Sequence, residues 1–391
     1  MKNVFKVYGT LWFLIFLLYL LHWSDLLLKL DIKVLLFLVV LIGISFFLGQ
    51  VFKGYFRLIK LDETTIAKKH RHMQIKGRII CVYFILVFLV ARNIPLLRVL
   101  QGQVVGDVNM TLIPGVTVIM TAYVIYSSFE FSYMYAFYKD KMALKYNLII
   151  LMYFILMVSR QYILICLAIF FYSMYMVKLD GKFNAVKKRL LGFVILIIAV
   201  IVLLYGFGVI GNMRYGSNWA WNDSSMIFTL GQGNQKWPNW IPKEYFWGYI
   251  YLTSPLSNFN INVINFLPNN NLGQFLLELV PDIVSNKFNA AYASAYLPVS
   301  SLTVSTSFVG AYRTLGIIGS YLILLLLLGI SVVIILLTYQ NRRDQMFPQL
   351  CGILYILCMS MFTNPFVFSV TGVLILLMIL ESFDFKLVVR K

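Results

Sequence analysis

The sequence predicts an all-α, polytopic membrane protein, and three observations predict it. Of its 391 residues, 61% are hydrophobic and only 12% charged, against about a quarter charged in soluble domains. Apolar runs of bilayer-spanning length, about 17–25 residues, recur from end to end. The basic residues gather in short segments between those runs. The alternating ten-residue segments of a transmembrane barrel are absent from the sequence.

A formal net charge of +18 would suggest nucleic acid in a soluble chain. Here the distribution argues against nucleic acid and for orientation on a bilayer, because cytoplasmic loops collect Lys and Arg. The segments are Lys2–Lys6, Lys53–Arg78, Lys139–Lys145, Lys178–Arg189, Arg342-Arg343 and Lys386–Lys391, which hold 23 of the 33 basic residues. The first apolar run, Val7–His22, lacks a small-x-small cleavage site after it and is expected to stay as a span. Cys81, Cys166, Cys351 and Cys358 lie in apolar runs without metal-ligand spacing, so packing is their expected role and neither disulfide nor metal is implied.

If every basic segment is cytoplasmic, the chain must cross an even number of times between consecutive ones. Asn147–Val177 as one helix would reach about 46 Å, far beyond a ~30 Å core, and would place Lys178–Arg189 outside. A hairpin turning at Ser159-Arg160-Gln161 satisfies both constraints. Leu350–Glu381 divides likewise at Asn364-Pro365, because proline cannot continue the hydrogen-bond ladder. The spans in order are 7–23, 33–52, 79–97, 114–137, 146–159, 161–177, 190–211, 316–338, 349–363 and 366–381: about ten helices with both termini inside. The chain thus divides into 1–211 (helices one to seven), 212–315 (a large external loop) and 316–391 (helices eight to ten).

Five arginines then lie at or near the outer ends of spans: Arg92 and Arg98 around "NIPLL", Arg160 on the hairpin, Arg214 in "GNMR", and Arg313 in "GAYRTLGIIG". Outer loops normally avoid basic residues. A guanidinium forks onto two phosphate oxygens and never loses its proton, so these five suit a phosphorylated, membrane-anchored molecule. Snorkelling to headgroups or local carboxylates is the plain alternative. Arg160 and Arg214, then Arg313, are the foremost candidates.

The external loop holds five of the seven tryptophans: Trp219, Trp221, Trp237, Trp240 and Trp247. Flat aromatics interleaved with Asn and Ser suit sugar rings, or equally an aromatic belt at the membrane surface. Its carboxylates are Asp223, Glu244, Glu278 and Asp282. Glu278 and Asp282 are four apart, but Pro281 between them argues against one shared helix face. No acid pair of D-x-D spacing lies outside, so no divalent cation is indicated. His22 is expected to be an interface residue and Glu130 a packing or snorkelling one. His70 and His72 sit among lysines in a cytoplasmic loop facing solvent and lipid.

The whole layout resembles bacterial Wzy-type polysaccharide polymerases and, more distantly, O-antigen ligases. About ten spans, the "VSRQYILI" hairpin, "GNMR" after a long span, the large outer loop and "FVGAYRTLGIIG" before a long helix carry the resemblance. It implies a GT-C-like layout in the bacterial plasma (inner) membrane. It also implies metal- and cofactor-free transfer of a glycan from undecaprenyl pyrophosphate onto a lipid-linked repeat unit of O-antigen or capsule. A chain-length regulator and a flippase are the partners implied. Arg160, Arg214 and Arg313 occupy the family's usual arginine positions, with Arg92, Arg98, Trp219, Trp221, Trp237, Trp240 and Asp223 expected on the substrate. Glu278 is the expected base, ahead of Asp223. The family's acids and histidine have no counterpart at fixed spacing here. A flippase or an O-antigen ligase stands as the alternative.

Overall fold

The computed structural model describes residues 3–56, 61–100, 114–180, 201–212, 222–288, 292–293, 295–299, 302 and 304–383. Among these residues the secondary structure is helical, with no strand. The helices are α1 Val4–Leu20, α2 Ile32–Val51, α3 Glu63–Ala91, α4 Pro95–Leu100, α5 Pro114–Tyr138, α6 Lys141–Leu156, α7 Arg160–Asp180 and α8 Ile201–Asn212. They continue as α9 Ser225–Leu230, α10 Tyr245–Asn265, α11 Leu272–Leu277, α12 Asp282–Ser285, α13 Phe308–Asn341, α14 Met346–Met359 and α15 Ser369–Glu381. Three of them, α2, α3 and α13, are long and apolar enough to cross a membrane, and α1, α7, α8 and α15 contain shorter apolar helices. A helical membrane protein is the architecture these apolar helices suggest.

The bundle has two distinct ends. One, the basic end, gathers the start of α3, the α5–α6 turn, the α13–α14 junction and the close of α15. The other, the loop end, gathers the α1–α2 connection, the described residues between 222 and 307 and the α14–α15 connection. Side-chain caps set several helix starts: Asn3, Asp31 and Asp140 accept bonds from backbone N–H groups of the first turns of α1, α2 and α6.

Two apolar stretches break into helix pairs. Asn147–Val177 runs as α6 and α7 with residues 157–159 between them. Val158 in that turn is left-handed (φ 53°), which a β-branched residue rarely adopts. Leu350–Glu381 runs as the end of α14, an irregular stretch around Asn364-Pro365, and α15.

Elsewhere the chain is more helical than its charge suggests. The basic segment before the third apolar run is helix from Glu63, continuous with that run. Its lysines, glutamine and alanine are good helix formers, and Met73, Gly77, Ile80 and Phe84 give it a buried stripe.

The stretch 212–315 contains a buried core rather than loop alone. In α10, 16 of 21 residues are buried, which puts it inside the molecule and not along a surface. Three asparagines in "NFNINV" tie it down. Asn258 donates to the carbonyl of Val304 (2.7 Å), Asn260 to that of Lys29 (3.0 Å), and Asn262 to that of Tyr296 (2.8 Å). Asn260 also accepts from the N–H of Asp31, and Asn262 from that of Tyr296. Amides carry donors and acceptors together, so they satisfy irregular backbone that would otherwise be buried without partners.

That backbone, at residues 296–299, 302 and 304–307, runs inward beside α10. Ser307 donates to the carbonyl of Ser360. Phe308 packs against Trp12 (6.0 Å), Phe37 (4.7 Å) and Phe259 (6.2 Å), and the first two lie more than a turn inside α1 and α2. The chain then climbs back as the short arm Phe308–Leu315 and reverses. Gly316 makes the reversal at φ 66°, ψ −156°, a conformation open essentially to glycine alone. The long arm follows, antiparallel to the short one, so Ser320 hydroxyl reaches the carbonyl of Phe308 (3.0 Å).

Candidate anion pocket and buried carboxylate

Arg313 sits on the short arm of α13, one turn before the reversal. Its guanidinium carbon lies 4.0 Å from the centre of the Phe266 ring, a cation–π stack that fixes the plane of the fork. Its carbonyl accepts from the N–H of Asn269 (3.0 Å). A pocket of about 220 Å³ opens beside it, lined by Leu267, Asn269, Gln274, Tyr292 and Ala293. Its polar wall is set locally: Asn271 caps α11 by accepting from Gln274 N–H, Asn269 donates to Gln274 Oε1, and Tyr292 donates to the carbonyl of Val280.

No carboxylate lines this pocket, and buried Nη1 of Arg313 has no hydrogen-bond partner among the described residues. An unmet buried donor costs about 1–3 kcal/mol, more when charged. An anionic oxygen placed there would remove that penalty.

Glu278, the C-cap of α11, is only 5% exposed. Asn364 donates both to its Oε2 (3.0 Å) and to its carbonyl (2.8 Å). On its other side lies Gly310, where a Cβ would come within 2.4 Å of the carboxylate. Burial pushes the Glu278 carboxyl up to about 7, partly offset by the Asn364 bond. A group poised there can release or accept a proton near neutrality. Gly310 and Arg313 are three apart on the same arm, so the carboxylate and the pocket are neighbours; no ion pair joins them.

Asp282 opens α12 beyond Pro281, so the two acids do not share a helix face. Asp282 accepts from the Ser369 hydroxyl, and its N–H donates to the carbonyl of Val367 (2.8 Å). Asn364 and Ser369 thereby pin segment 278–285 to the α14–α15 connection.

Arg92 and Arg98 are exposed at the end of α3 and on α4, where they line one cleft of about 620 Å³. Arg92 is the left-handed C-cap of α3 (φ 48°), its N–H on the carbonyl of Phe88. Arg160 is the first residue of α7, and the Gln161 side chain beside it donates to the sulfur of Met359 (3.3 Å). The Arg160 side chain, and all of Arg214, Trp219 and Trp221, lie outside the described residues.

The remaining aromatics separate by environment. Trp237 is 6% exposed, packed on Trp23 (4.9 Å) and Phe246 (5.3 Å), with Nε1 donating to the carbonyl of Ile241. It is a packing residue with no free face for a sugar. Trp247 is buried and donates to Asn212 (2.7 Å). Trp240 is 83% exposed. Asp223 is exposed and accepts from Ser225 N–H, and the bonds from Ser225 hold its carboxyl below the usual range.

A cavity of about 810 Å³ lies at the opposite, basic end. Lys76 of α3 bridges Glu130 of α5 (2.8 Å) and Glu381 of α15 (3.5 Å). Asp344 receives Lys69 (3.0 Å) and Arg342 (3.2 Å), and His70 meets Asp140 (2.6 Å). Sequence reasoning saw Glu130 without this lysine. It also missed Asn364 as the partner of Glu278, having noted "NP" only as a break. The alternating asparagines of "NFNINV" were the signal for a buried helix. No group of three His, Cys, Asp or Glu residues that could hold a metal occurs among the described residues. No family model, curated protein or solved structure matches the chain.

Proposed function

We propose that the protein is a membrane glycosyltransferase that polymerises lipid-linked oligosaccharide repeat units at the loop end, which faces outward in the bacterial plasma membrane. In this reading about ten helices cross the membrane with both termini in the cytoplasm. The observation that carries it is the pocket of Arg313: a stacked guanidinium, with no acid in the wall and no partner for a buried donor among the described residues, three positions along the arm from Gly310, which packs on a carboxyl poised near neutrality. The strained turn at Val158 immediately before Arg160 is a second support, since such strain gathers at functional sites.

The donor is a glycan on undecaprenyl pyrophosphate and the acceptor a repeat unit on a second such lipid. The anomeric C–O bond to the diphosphate breaks, and a new C–O bond forms to the acceptor hydroxyl. Glu278 takes the hydroxyl proton, and undecaprenyl pyrophosphate departs with the electron pair. Arg313, joined by Arg160 and Arg214, meets the charge that builds on the diphosphate, so no metal is needed. Trp240 offers the exposed ring on which a sugar packs. A chain-length regulator and a flippase are the partners this reaction calls for.

The test is removal of the gene and inspection of surface glycan. Single repeat units on an otherwise normal lipid core support the polymerase. Long lipid-linked chains with no attached glycan indicate a ligase, and units trapped on the cytoplasmic side a flippase; either overturns the proposal.

A further inference from the structure

A second feature of the loop end bears on how a lipid-linked substrate is held. The cleft of Arg92 and Arg98 continues into a groove of about 690 Å³ between α3 and α6, and the two share Ile85 and Phe88. Phe84 and Tyr153, stacked at 3.7 Å, form part of its floor. Leu148 and Met152, both more than half exposed, form its lip. The groove ends at Lys141 and Lys145. It is apolar between, with cations at both ends, and no carboxylate lines either part among the described residues.

Length decides which lipid it suits. The groove follows α6 from Lys141 to Leu156, about 22 Å at 1.5 Å per residue. One leaflet of a ~30 Å hydrocarbon core is only about 15 Å deep. A two-tailed phospholipid would fill the upper part and leave the rest empty. A single long chain that continues into the opposite leaflet fills it throughout.

We propose that the α3–α6 groove holds the isoprenoid chain of a polyprenyl phosphate lipid, with its phosphate between Arg92 and Arg98. This rests on the reading of two lipid-linked glycan substrates and names where the anchor of the acceptor lies, the donor's diphosphate being the one that Arg313 meets. Guanidinium forks give the headgroup bidentate, charge-assisted bonds. The exposed apolar walls of α3 and α6 leave the groove open sideways, so the lipid enters from the bilayer without leaving it.

The test uses the full-length protein in detergent, with undecaprenyl phosphate and dioleoyl phosphatidylglycerol offered together and bound lipid counted by native mass spectrometry. Wild type is expected to retain the prenyl phosphate preferentially. The double variant Arg92→Asn/Arg98→Gln, with an asparagine suited to the left-handed position, is expected to lose it by about tenfold or more. Leu148→Trp keeps both charges and plugs the groove, and the same loss is expected; a normal size-exclusion profile shows that each variant is folded. Equal retention of both lipids by wild type, or undiminished prenyl phosphate in both variants, overturns the proposal. Polymer on the cell surface is scored separately. Binding that follows these variants in a protein that makes no polymer keeps the groove and loses the polymerase. Full polymerisation by the plugged variant sinks the groove alone.

Discussion

The two ends of the bundle use cations in opposite ways. At the basic end, Lys76 meets Glu130 of α5 and Glu381 of α15, and Lys69 and Arg342 share Asp344 in the α13–α14 junction. At the loop end, no described carboxylate pairs with Arg92, Arg98 or Arg313, while Glu278 is buried without a cation. The contrast teaches where charge serves the fold and where it awaits something else. Paired ions lock helices together; a buried donor without a partner, as in Arg313, raises the free energy of the empty protein, and an anion that meets it lowers it again.

The sharpest way to test this contrast is Glu278→Gln. Loss of a general base is expected to cut polymer formation by about 10²–10⁴-fold, measured with lipid-linked repeat units and purified protein. In the native enzyme the rate should rise with pH through about 7 as the carboxyl ionises, and the variant should lack that rise. Stability moves the other way. The folded protein holds this proton more tightly than the unfolded chain, whose glutamate titrates near 4.3. Stability therefore falls as pH rises from there to about 7 and levels off above. Thermal unfolding across that window should show the decline in wild type and not in the variant.

Arg313→Lys keeps the charge but loses the fork and its stack on Phe266, with an expected activity loss of about 10²-fold and an unchanged melting temperature. Lys76→Met tests the other side. It strands Glu130 and Glu381, and about 3 kcal/mol of stability is expected to go, read as a lower melting temperature with activity per folded molecule preserved. If Lys76→Met instead abolished catalysis in fully folded protein, the division between the ends would fail.

Asn364→Ala removes the donor that favours the ionised form of Glu278. The rising limb of the pH–rate profile should move to higher pH, with the maximal rate reduced only modestly. The smallest effect is expected from Trp240→Ala. An exposed ring that stacks on sugar contributes about 1 kcal/mol, so KM should rise several-fold while kcat and melting temperature hold.

Much of the helical plan was legible because lipid-facing helices are written in long apolar runs, and the breaks at Ser159 and Asn364-Pro365 follow from length and proline chemistry. Three things were not. The basic run before the third apolar stretch reads as loop by charge, yet its residue types favour helix and its period buries Met73 and Ile80. The helix α10 is polar enough to pass for surface, because its asparagines serve neighbouring backbone rather than water. The inward placement of Tyr296 and Val304 depends on contacts more than 30 positions away, which no local pattern carries. At the site, Arg313 and Glu278 could be singled out by type and place. Their relation could not, since it runs through Gly310, a residue that matters for the side chain it lacks.

The inward stretch also constrains how the molecule is assembled. Hydrocarbon offers nothing to bare amides, and irregular backbone at that depth survives only when wrapped in protein. The carbonyls of Tyr296 and Val304 find their donors in Asn262 and Asn258. Replacing those two asparagines by leucine is expected to leave the carbonyls of Val304 and Tyr296 buried without their donors and to lower the melting temperature.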